Sequence, residues 1–320
     1  MAPPYEYHGY AMDTEITIKI MDRDTHRIPD GAKDEIERLE KKLSRFIENS
    51  EISRINMSAG KEAVTVSTET MNILSEAKRF SRISLGVFDI TAAPLIDLWR
   101  NSRIDGPPDK KKISRALALV DHRDLVLDKK EKKAFLKNAG QMIDLGGIGK
   151  GYAGDCCIKK LKEGGISSAF LNIGGNVCLL GKRKDGTPFR VGIRHPRKKD
   201  TLLGAVEVTE ASGKAVVTSG DYERCFIDKE GKRVHHIIDI SKGMPATSGL
   251  VSVSVIHESG MIADALSTAV FAAGIQKGKG FIEKIKGAEA ILMDEDQSIF
   301  VTKGIRKSFQ AASGKEIKTI

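Results

Sequence analysis

The sequence predicts an α+β fold with a mainly antiparallel sheet, built from β-hairpins and packed helices. Two observations predict it. Apolar residues recur at helical spacing in the first third of the chain. From Leu125 onward, short runs typical of strands are separated by charged turns, and a few helical segments interrupt them. Because strands and helices do not alternate regularly, antiparallel pairing is favoured over a doubly wound parallel sheet.

The first third of the chain combines helices and strands. Apolar residues recur every three or four positions after Asp30, which predicts a helix that Asp30 caps and that ends near Asn49. The same spacing predicts a second helix over Thr70–Ile83. Strands are predicted at Glu15–Ile20, where isoleucines alternate with polar residues, and at Ala63–Val66.

Three hairpins are predicted in the remainder of the chain. Each joins two runs across a charged turn: LVLD and AFLK across KKEKK, VCLLG and PFRVGI across KRKDGT, and RCFID and RVHHIID across KEGK. Helices are expected at Gly151–Lys162, Met261–Ala273 and about Gly278–Lys286. Because there is no internal repeat or low-complexity linker, we expect one domain over residues 1–320, with a peripheral insert near residues 101–121.

Composition and charge narrow the classes of function. The chain has 320 residues, of which 40% are hydrophobic and 30% charged, as expected of a folded, enzyme-sized protein. Its net charge of +9 is spread over short mixed runs, and only 5% of the residues are aromatic, which argues against a base-stacking surface. We therefore expect no nucleic-acid partner.

The sequence also bears on membranes and compartment. No stretch approaches the roughly 20 consecutive apolar residues that cross a bilayer, and the start, MAPPYEYHGYAMD, lacks the pattern of an export signal. Membrane contact is therefore expected only through a partner or through an anchor missing from this chain. Both the cytoplasm and an extracytoplasmic location, reached with a leader absent from this chain, are compatible with the sequence.

The segment Met142–Asp155, MIDLGGIGKGYAGD, is the most informative one. An apolar run leads into four glycines within six residues and then into a helix. Backbone without Cβ atoms lets amides and carbonyls approach a phosphate or a metal closely. The alternative is that these glycines only permit tight packing of a strand against a helix.

A G-x-G-x-x-G pattern beginning at Gly149 also raises the possibility of a dinucleotide-binding dehydrogenase. Such a unit needs an acidic residue about 20 positions further on to hold the ribose, and the chain has Asn172 there. The phosphate-loop pattern of nucleotide hydrolases fails, because Lys150 is followed by glycine and not by Ser or Thr.

Asp264 and Thr268 are four residues apart in the apolar segment GMIADALSTAVFAAG, so on a helix their oxygens project from one face. Mg²⁺ prefers oxygen donors and is usually bound by one or two carboxylates together with waters and substrate phosphates. A carboxylate on an apolar helix needs a partner, which a cation would supply. The alternative is a hydrogen bond on the helix surface.

Two further segments carry polar groups, HHIID at His235–Asp239 and TSGDYERCF at Thr218–Phe226. A histidine exchanges a proton near neutral pH, while Tyr222 and Arg224 have side chains that stack on a ring or pair with a phosphate. Ordinary structural polarity is the alternative for each of them. Zinc is disfavoured, because consecutive residues of a strand point to opposite faces and no cysteine is well spaced to help.

Eight segments, taken in order, resemble the ApbE family of FAD:protein FMN transferases. They cover about Ala11–Ala273: AMDTEITIKI, FIENSEISRIN, GVFDITAAPLIDLW, IDLGGIGKGYAGD, LNIGGNV, TSGDYER, HHIID and ADALST. Their joint order is far more specific than the glycine loop alone. Two departures are visible: the usual Met-Gly-Thr is Met12-Asp13-Thr14, and the usual Asp-Pro is Asp239-Ile240.

The resemblance implies a T-fold-like α+β architecture and an enzyme that uses Mg²⁺. It implies FAD as the donor and a Thr or Ser hydroxyl of a partner flavoprotein, of the redox-complex type, as the acceptor. FMN would be transferred to that hydroxyl and AMP released. By family habit the enzyme would work in the cell envelope, with the cytoplasm as the alternative.

The resemblance also assigns site residues by position. Contacts with FAD fall to eight residues: Met12, Phe46, Val87, Phe88, Asp89, Asp144, Lys150 and Ile238. Mg²⁺ falls to Asp264, Thr268 and the backbone carbonyl of Gly147, with Ser267 as a helper. His236 is the implied catalytic histidine, which takes the proton from the acceptor hydroxyl.

Three other functions stay open on the sequence. If water replaced the acceptor, the chain would be a metal-dependent FAD pyrophosphatase that yields FMN and AMP through the same residues. A non-catalytic flavin-binding carrier would not need Asp264, Thr268 and His236, all of which are present. An NAD-dependent dehydrogenase would bind NAD without a metal.

Overall fold

The computed structural model describes residues 5–21, 31–183, 185–209, 214–228, 231, 233–312 and 314–320. Within these ranges the chain forms seven α-helices: α1 (Ala32–Leu43), α2 (Glu51–Met57), α3 (Thr68–Ile83), α4 (Ala93–Asp105), α5 (Lys110–Leu117), α6 (Gly149–Glu163) and α7 (Gly260–Glu283).

The same ranges contain nineteen β-strands, most of them short. They are β1 (Tyr5–Ala11), β2 (Thr14–Ile20), β3 (Val64–Thr65), β4 (Leu125–Asp128), β5 (Lys133–Leu136), β6 (Ala169–Ile173), β7 (Asn176–Leu180), β8 (Phe189–Arg194), β9 (Leu202–Val208), β10 (Ala215–Gly220), β11 (Cys225–Ile227), β12 (Arg233–His235), β13 (Ile238–Asp239), β14 (Met244–Pro245), β15 (Leu250–His257), β16 (Glu289–Asp294), β17 (Ile299–Val301), β18 (Phe309–Ala311) and β19 (Ile317–Thr319).

A central sheet of nine strands organises the described residues, in the order β1-β2-β6-β7-β10-β15-β16-β17-β19. All neighbouring strands are antiparallel except β17 and β19. Strand β15 is buried along its whole length. Its Val253 and Val255 belong to the core shared with α1, α6 and α7, whereas Val251 and Ile256 belong to the core shared with β8, β9 and β18. The predicted antiparallel α+β fold is confirmed.

Several predicted elements are confirmed with small shifts. Helices α3 and α6 and strand β2 agree with the prediction within about two residues. In α7, Gly274 has φ 78° and ψ 174°, which separates a first helical part from a second. The second part therefore begins directly after Gly274 rather than near Gly278. The hairpins β4/β5 and β11/β12 pair as predicted.

The predicted hairpin between VCLLG and PFRVGI is wrong. Strand β7 pairs with β6 and β10 in the central sheet, whereas β8 pairs with β9 in a separate three-stranded sheet. Leu179 and Phe189 both lie in the apolar core between these two sheets. The two runs therefore face each other across a layer instead of sharing an edge, and alternation alone does not distinguish these arrangements.

The predicted end of the first helix near Asn49 is also wrong. Helix α1 ends at Leu43, because Ser44 takes an extended conformation, and α2 begins at Glu51 after Ser50, whose hydroxyl accepts the Ser53 amide. The apolar spacing that suggested a longer helix continues into the intervening turn by coincidence. The predicted cap, Asp30, lies outside the described residues.

The turn of the β1/β2 hairpin explains why Asp13 is tolerated where the family usually has glycine. Ala11 pairs with Thr14, so Met12 and Asp13 form a two-residue turn, and their φ values are 55° and 58°. A hairpin turn of this kind needs positive φ at both central residues, and Asp is among the residues that tolerate it. Asp13 therefore occupies a positive-φ position, which glycine adopts without steric cost.

Helices α4 and α5 pack on a small apolar cluster away from the central sheet. Leu95 and Trp99 of α4 contact Val234 and Ile238, and α5 covers this group from outside. The Trp99 indole donates a hydrogen bond to the carbonyl of Gly243 at 2.8 Å. The boundaries of an insert in this region stay a prediction. None of the described helices is long and apolar enough to cross a membrane.

Helices α6 and α7 each provide a carboxylate that caps the first turn of the other. Asp264 of α7 accepts the amide of Gly151 in α6, at 2.9 Å. Asp155 of α6 accepts the amides of Gly260 and Met261 at the start of α7, at 2.6 and 3.1 Å. Carboxylates are favoured at helix N-termini, where unpaired amides and the helix dipole present positive charge. The backbones approach closely because neither helix carries a Cβ at Gly151 or Gly260.

We expect Gly151→Ala to lower the free energy of unfolding by roughly 2 kcal/mol or more, the scale of overpacking. A Cβ there would lie 2.1 Å from the carbonyl oxygen of Gly260 and 2.8 Å from the Cβ of Asp264. Gly280→Ala is the matched control, because a Cβ at Gly280 meets no atom within 4 Å. It should stabilise the helix by about 0.5–1 kcal/mol. Urea denaturation measures both, and equal stabilities would contradict the close crossing.

Candidate active site

The glycine loop before α6 lies directly against α7. A Cβ at Gly147 would be 3.4 Å from Thr268 Oγ1 and 3.1 Å from the ring of Phe88. Glycine at this position therefore leaves room between the loop and the threonine hydroxyl, which a larger residue would fill. Of the residues predicted from the sequence, the structure brings Gly147, Phe88 and Thr268 together.

Asp264 is buried, with only 3% of its surface exposed. Its Oδ2 accepts a hydrogen bond from the Gly151 amide. The backbone therefore provides part of the compensation for the buried negative charge that the sequence predicted a cation to provide. The other oxygen, Oδ1, makes no hydrogen bond within the described residues and keeps its lone pairs free. A buried carboxylate with only one oxygen hydrogen-bonded, one helical turn from Thr268, is suited to bind a hard cation.

Three hydroxyl groups lie beside this carboxylate. Ser267 donates to the carbonyl oxygen of Asp264 at 2.9 Å. The hydroxyl oxygen of Ser219, on β10, lies 2.8 Å from that of Ser267 and 3.3 Å from that of Thr268. Ser267 is fully buried, and its hydroxyl contacts that of Ser219. It therefore lies on the interior side of the site.

The residues present fit a hard divalent cation. Asp264 Oδ1 and Thr268 Oγ1 are oxygen donors, and the missing Cβ of Gly147 leaves space beside Thr268. In the part of the chain that the structure describes, no three His, Cys, Asp or Glu side chains cluster as a metal centre. Mg²⁺ suits a site with few protein donors, because it commonly completes its shell with waters and substrate phosphates.

The two adjacent histidines have different environments. His235 is buried and stacks edge-on against Phe271 of α7 with ring centroids 5.4 Å apart. Its Nδ1 accepts the Ile237 amide, so Nε2 carries the proton and donates to the carbonyl of Ala246 at 3.0 Å. His235 therefore serves packing. His236 is the first residue after β12 and is exposed.

The hydrogen bond made by His236 fixes its neutral tautomer. The carbonyl of Arg224 lies 3.3 Å from Nδ1, and a carbonyl accepts only, so Nδ1 carries the proton and Nε2 is free to take one. Surrounding protein atoms, followed by the positive charges of Lys150 and Arg224, lower the pKa of His236.

Met12 lies next to the glycine loop. Its methyl group would be 3.8 Å from a Cβ at Gly149, and its amide donates to Glu40 at 2.8 Å. Arg224 bridges from the histidine segment to the carboxylate of Asp13 at 3.2 Å. The β1/β2 turn, the loop and the histidine strand are thereby connected, and Arg224 serves this connection in addition to its charge.

Asp144 is held by an arginine that the sequence analysis missed. Arg45 pairs with both Asp144 and Asp97, and its side chain is only 7% exposed. Asp144 Oδ1 also accepts the amide of Gly146, which fixes the start of the glycine loop. The guanidinium groups of Arg45 and Arg100 lie 4.4 and 4.8 Å from the centre of the Phe46 ring, which is 64% exposed. Adjacency of Arg45 to Phe46 was the only signal available in the sequence.

Two further predicted site residues, Lys150 and Asp89, make hydrogen bonds within the protein. Lys150 bends back to the carbonyl of Gly146, at 3.2 Å. Asp89 is engaged by Thr91 and by His122, whose amide and ring nitrogen approach its Oδ2 at 2.7 and 3.1 Å. Its carboxylate is therefore occupied by the protein itself.

A depression lies beside Asp89. Val87 and Asp89 line it together with Asp239, and its volume is about 420 Å³. The side chain of Ile238 is buried in the cluster under α4, so any ligand contact at this residue falls to its backbone. The structure thus places Val87 and Asp89 at this cavity, beside Asp239 and Ile240 of the segment that follows Ile238.

The fold and this site define a protein of the antiparallel α+β class whose site combines a glycine loop, oxygen donors on a helix turn and a histidine strand. Comparison with known proteins gives the family. The sequence model of the ApbE family matches residues 12–292, and the chain belongs to this family.

Relatives and solved structures agree with this membership. An FAD:protein FMN transferase of Klebsiella pneumoniae (strain 342) is 31% identical over 307 residues, which cover 95% of this chain and 94% of that protein. The ApbE protein of Thermotoga maritima MSB8 has a TM-score of 0.87 at 30% identity, covering 96% of this chain and 99% of that one. The flavin transferase ApbE of Vibrio cholerae has a TM-score of 0.83 at 27% identity, covering 96% and 100%. The resemblance found in the sequence is confirmed.

We expect Arg45→Gln to destabilise the protein by about 3 kcal/mol, because it leaves Asp144 and Asp97 without their shared cation in a largely buried position. Arg123→Gln is the matched control. Arg123 pairs with Asp121 while its side chain is 80% exposed, so its loss should leave the melting temperature unchanged. Thermal unfolding followed by circular dichroism compares the two, and equal melting temperatures would show that Arg45 does not support the loop.

Proposed function

We propose that this chain transfers FMN from FAD to a hydroxyl group of a partner protein and releases AMP. One observation carries the proposal: the glycine loop faces a helix turn that presents a buried carboxylate and a hydroxyl, Asp264 and Thr268. Family membership supports it, since FAD:protein FMN transferases match nearly the whole chain at about 30% identity.

The reaction is a phosphoryl-type transfer. The acceptor oxygen forms a bond to the phosphorus of the FMN half of FAD, and the bond between this phosphorus and the bridging oxygen of the AMP half breaks. The acceptor proton passes to Nε2 of His236, the nitrogen left free by the hydrogen bond of Nδ1. The products are a phosphoester-linked flavin and AMP, so atoms and electrons balance.

Asp264, Thr268 and the carbonyl of Gly147 are the residues that would hold Mg²⁺, with Ser267 behind them. When bound, the ion supplies charge neutralisation at the pyrophosphate. The protein contributes two further things. The amides at the start of α6 favour an anion, and Lys150 adds positive charge beside the loop. Positioning and charge account for most of the catalysis in this type of reaction.

The acceptor that we propose is a Thr or Ser hydroxyl in a flavoprotein of the redox-complex type. A second candidate activity is hydrolysis of FAD to FMN and AMP. The observation in its favour is that His236 is exposed, so water reaches the same nitrogen that would activate the acceptor. The two activities share every residue of the site, and only the nucleophile differs.

Incubation of the protein with FAD, MgCl₂ and a candidate acceptor domain tests the proposal, with mass spectrometry of the acceptor as the measurement. We expect a gain of one FMN on the acceptor and stoichiometric AMP. The control is the acceptor with its target Thr or Ser replaced by Ala, which should gain nothing. Release of FMN and AMP without an adduct would establish the hydrolase instead, and retention of intact FAD would establish a carrier.

The pH dependence of kcat/KM tests the role of His236. Since the pKa of this histidine is lowered from its ordinary value of 6.5, its neutral, proton-accepting form persists below that pH. We expect the acid limb of the profile to lie below pH 6.5 and His236→Ala to lower kcat by about 10²- to 10⁴-fold. Its melting temperature should not change, because the ring is exposed. Full activity of this variant would remove His236 from the mechanism.

A further inference from the structure

The hydroxyl groups beside Asp264 form a chain in which the position of every proton is determined. The carbonyl oxygen of Asp264 accepts only, so the bond at 2.9 Å uses the proton of Ser267. The contact of 2.8 Å between Ser267 and Ser219 then requires the proton of Ser219. The contact of 3.3 Å between Ser219 and Thr268 therefore requires the proton of Thr268.

The direction of these hydrogen bonds determines how the Thr268 hydroxyl is oriented. Each hydroxyl has one proton and two lone pairs, and the proton of Thr268 is directed at Ser219. Thr268 Oγ1 thus presents only lone pairs to the space beside Gly147, where a Cβ would be 3.4 Å away. A hydroxyl that binds a cation must do so through its lone pairs, so the chain of hydrogen bonds prepares Thr268 for this role.

We propose that Ser219 is a positioning residue for the divalent cation site: it accepts the proton of Thr268 and thereby orients the threonine oxygen toward the ion. The inference rests on the cation site of the proposed function and assigns to it a residue on a different element, β10. Partners of metal ligands of this kind fix the orientation of the ligand and raise its basicity.

The neighbouring residues show that this placement is specific to Ser219. Strand β10 pairs with β15, and successive side chains of a strand point to opposite faces. Thr218 therefore faces away from α7, and its hydroxyl pairs with that of Ser254 at 2.7 Å. Ser219 is partly exposed, whereas Ser267 is fully buried, so the hydroxyl chain runs from the interior toward the open site.

The test is a titration of the full chain with Mn²⁺ in the presence of FAD, followed by electron paramagnetic resonance of the free ion. In Ser219→Ala the proton of Thr268 loses its acceptor and competes with the ion for the threonine oxygen. We expect the Kd for Mn²⁺ to rise about tenfold. At saturating metal, kcat should stay close to that of the wild type, whereas the metal concentration for half-maximal activity should rise. Ser219→Thr keeps a hydroxyl and should restore binding.

Ser254→Ala is the matched control, because it removes the same group from the hydroxyl pair that faces away from α7, and its Kd should not change. Two variants of the ligands themselves, Thr268→Val and Asp264→Asn, separate the outcomes. If they lose Mn²⁺ affinity while Ser219→Ala keeps it, the role of Ser219 is overturned and the cation site stands. If all three keep it, the cation site of the proposed function is overturned as well. Melting curves show whether each variant is folded.

Discussion

The structure depends on the close approach of the first turns of α6 and α7. Each helix contributes a carboxylate to the N-terminus of the other, Asp264 to Gly151 and Asp155 to Gly260. Burial raises the pKa of Asp155, although bonds from Ser259, Met261 and Gly260 favour its charged form. Two buried carboxylates are accommodated because helix amides compensate them. The contact that fixes the packing of the two helices therefore also fixes the distance between the glycine loop and Thr268.

The dual use of Asp264 shapes what the site is able to bind. One oxygen is committed to α6, so the site offers a single carboxylate oxygen beside the neutral oxygens of Thr268 and Gly147 rather than a cluster of charges. A cation bound there would find too few protein oxygens to complete its coordination shell. It would need further oxygens from a ligand. This condition favours a phosphorylated ligand together with the ion over the ion alone, which is consistent with a substrate that carries a pyrophosphate.

Sequence patterns predicted the elements that are defined locally. Helix α3 follows from apolar spacing, helices α6 and α7 were expected between the strand-like runs, and Asp264 and Thr268 follow from their separation on one helix face. Sequence patterns failed for features that depend on contacts between segments far apart in the chain. The run at Phe189 pairs with β9 in a separate sheet rather than with its predicted partner β7, and Arg45 pairs with Asp97 and Asp144, which are far along the chain. Ser219 likewise gains its role only through the packing of β10 against α7, which no spacing within the segment contains.

The two histidines illustrate how one segment serves both the fold and the chemistry. His235 ends strand β12 and packs against Phe271, and His236 is the next residue along the chain and is exposed. The bonds of His235 to Ile237 and Ala246 hold the backbone on both sides of His236. The carbonyl of Arg224 then sets which nitrogen of His236 carries the proton. A buried, chemically inert histidine thus gives its exposed neighbour a fixed position, and the backbone gives that neighbour a fixed tautomer, before any substrate is bound.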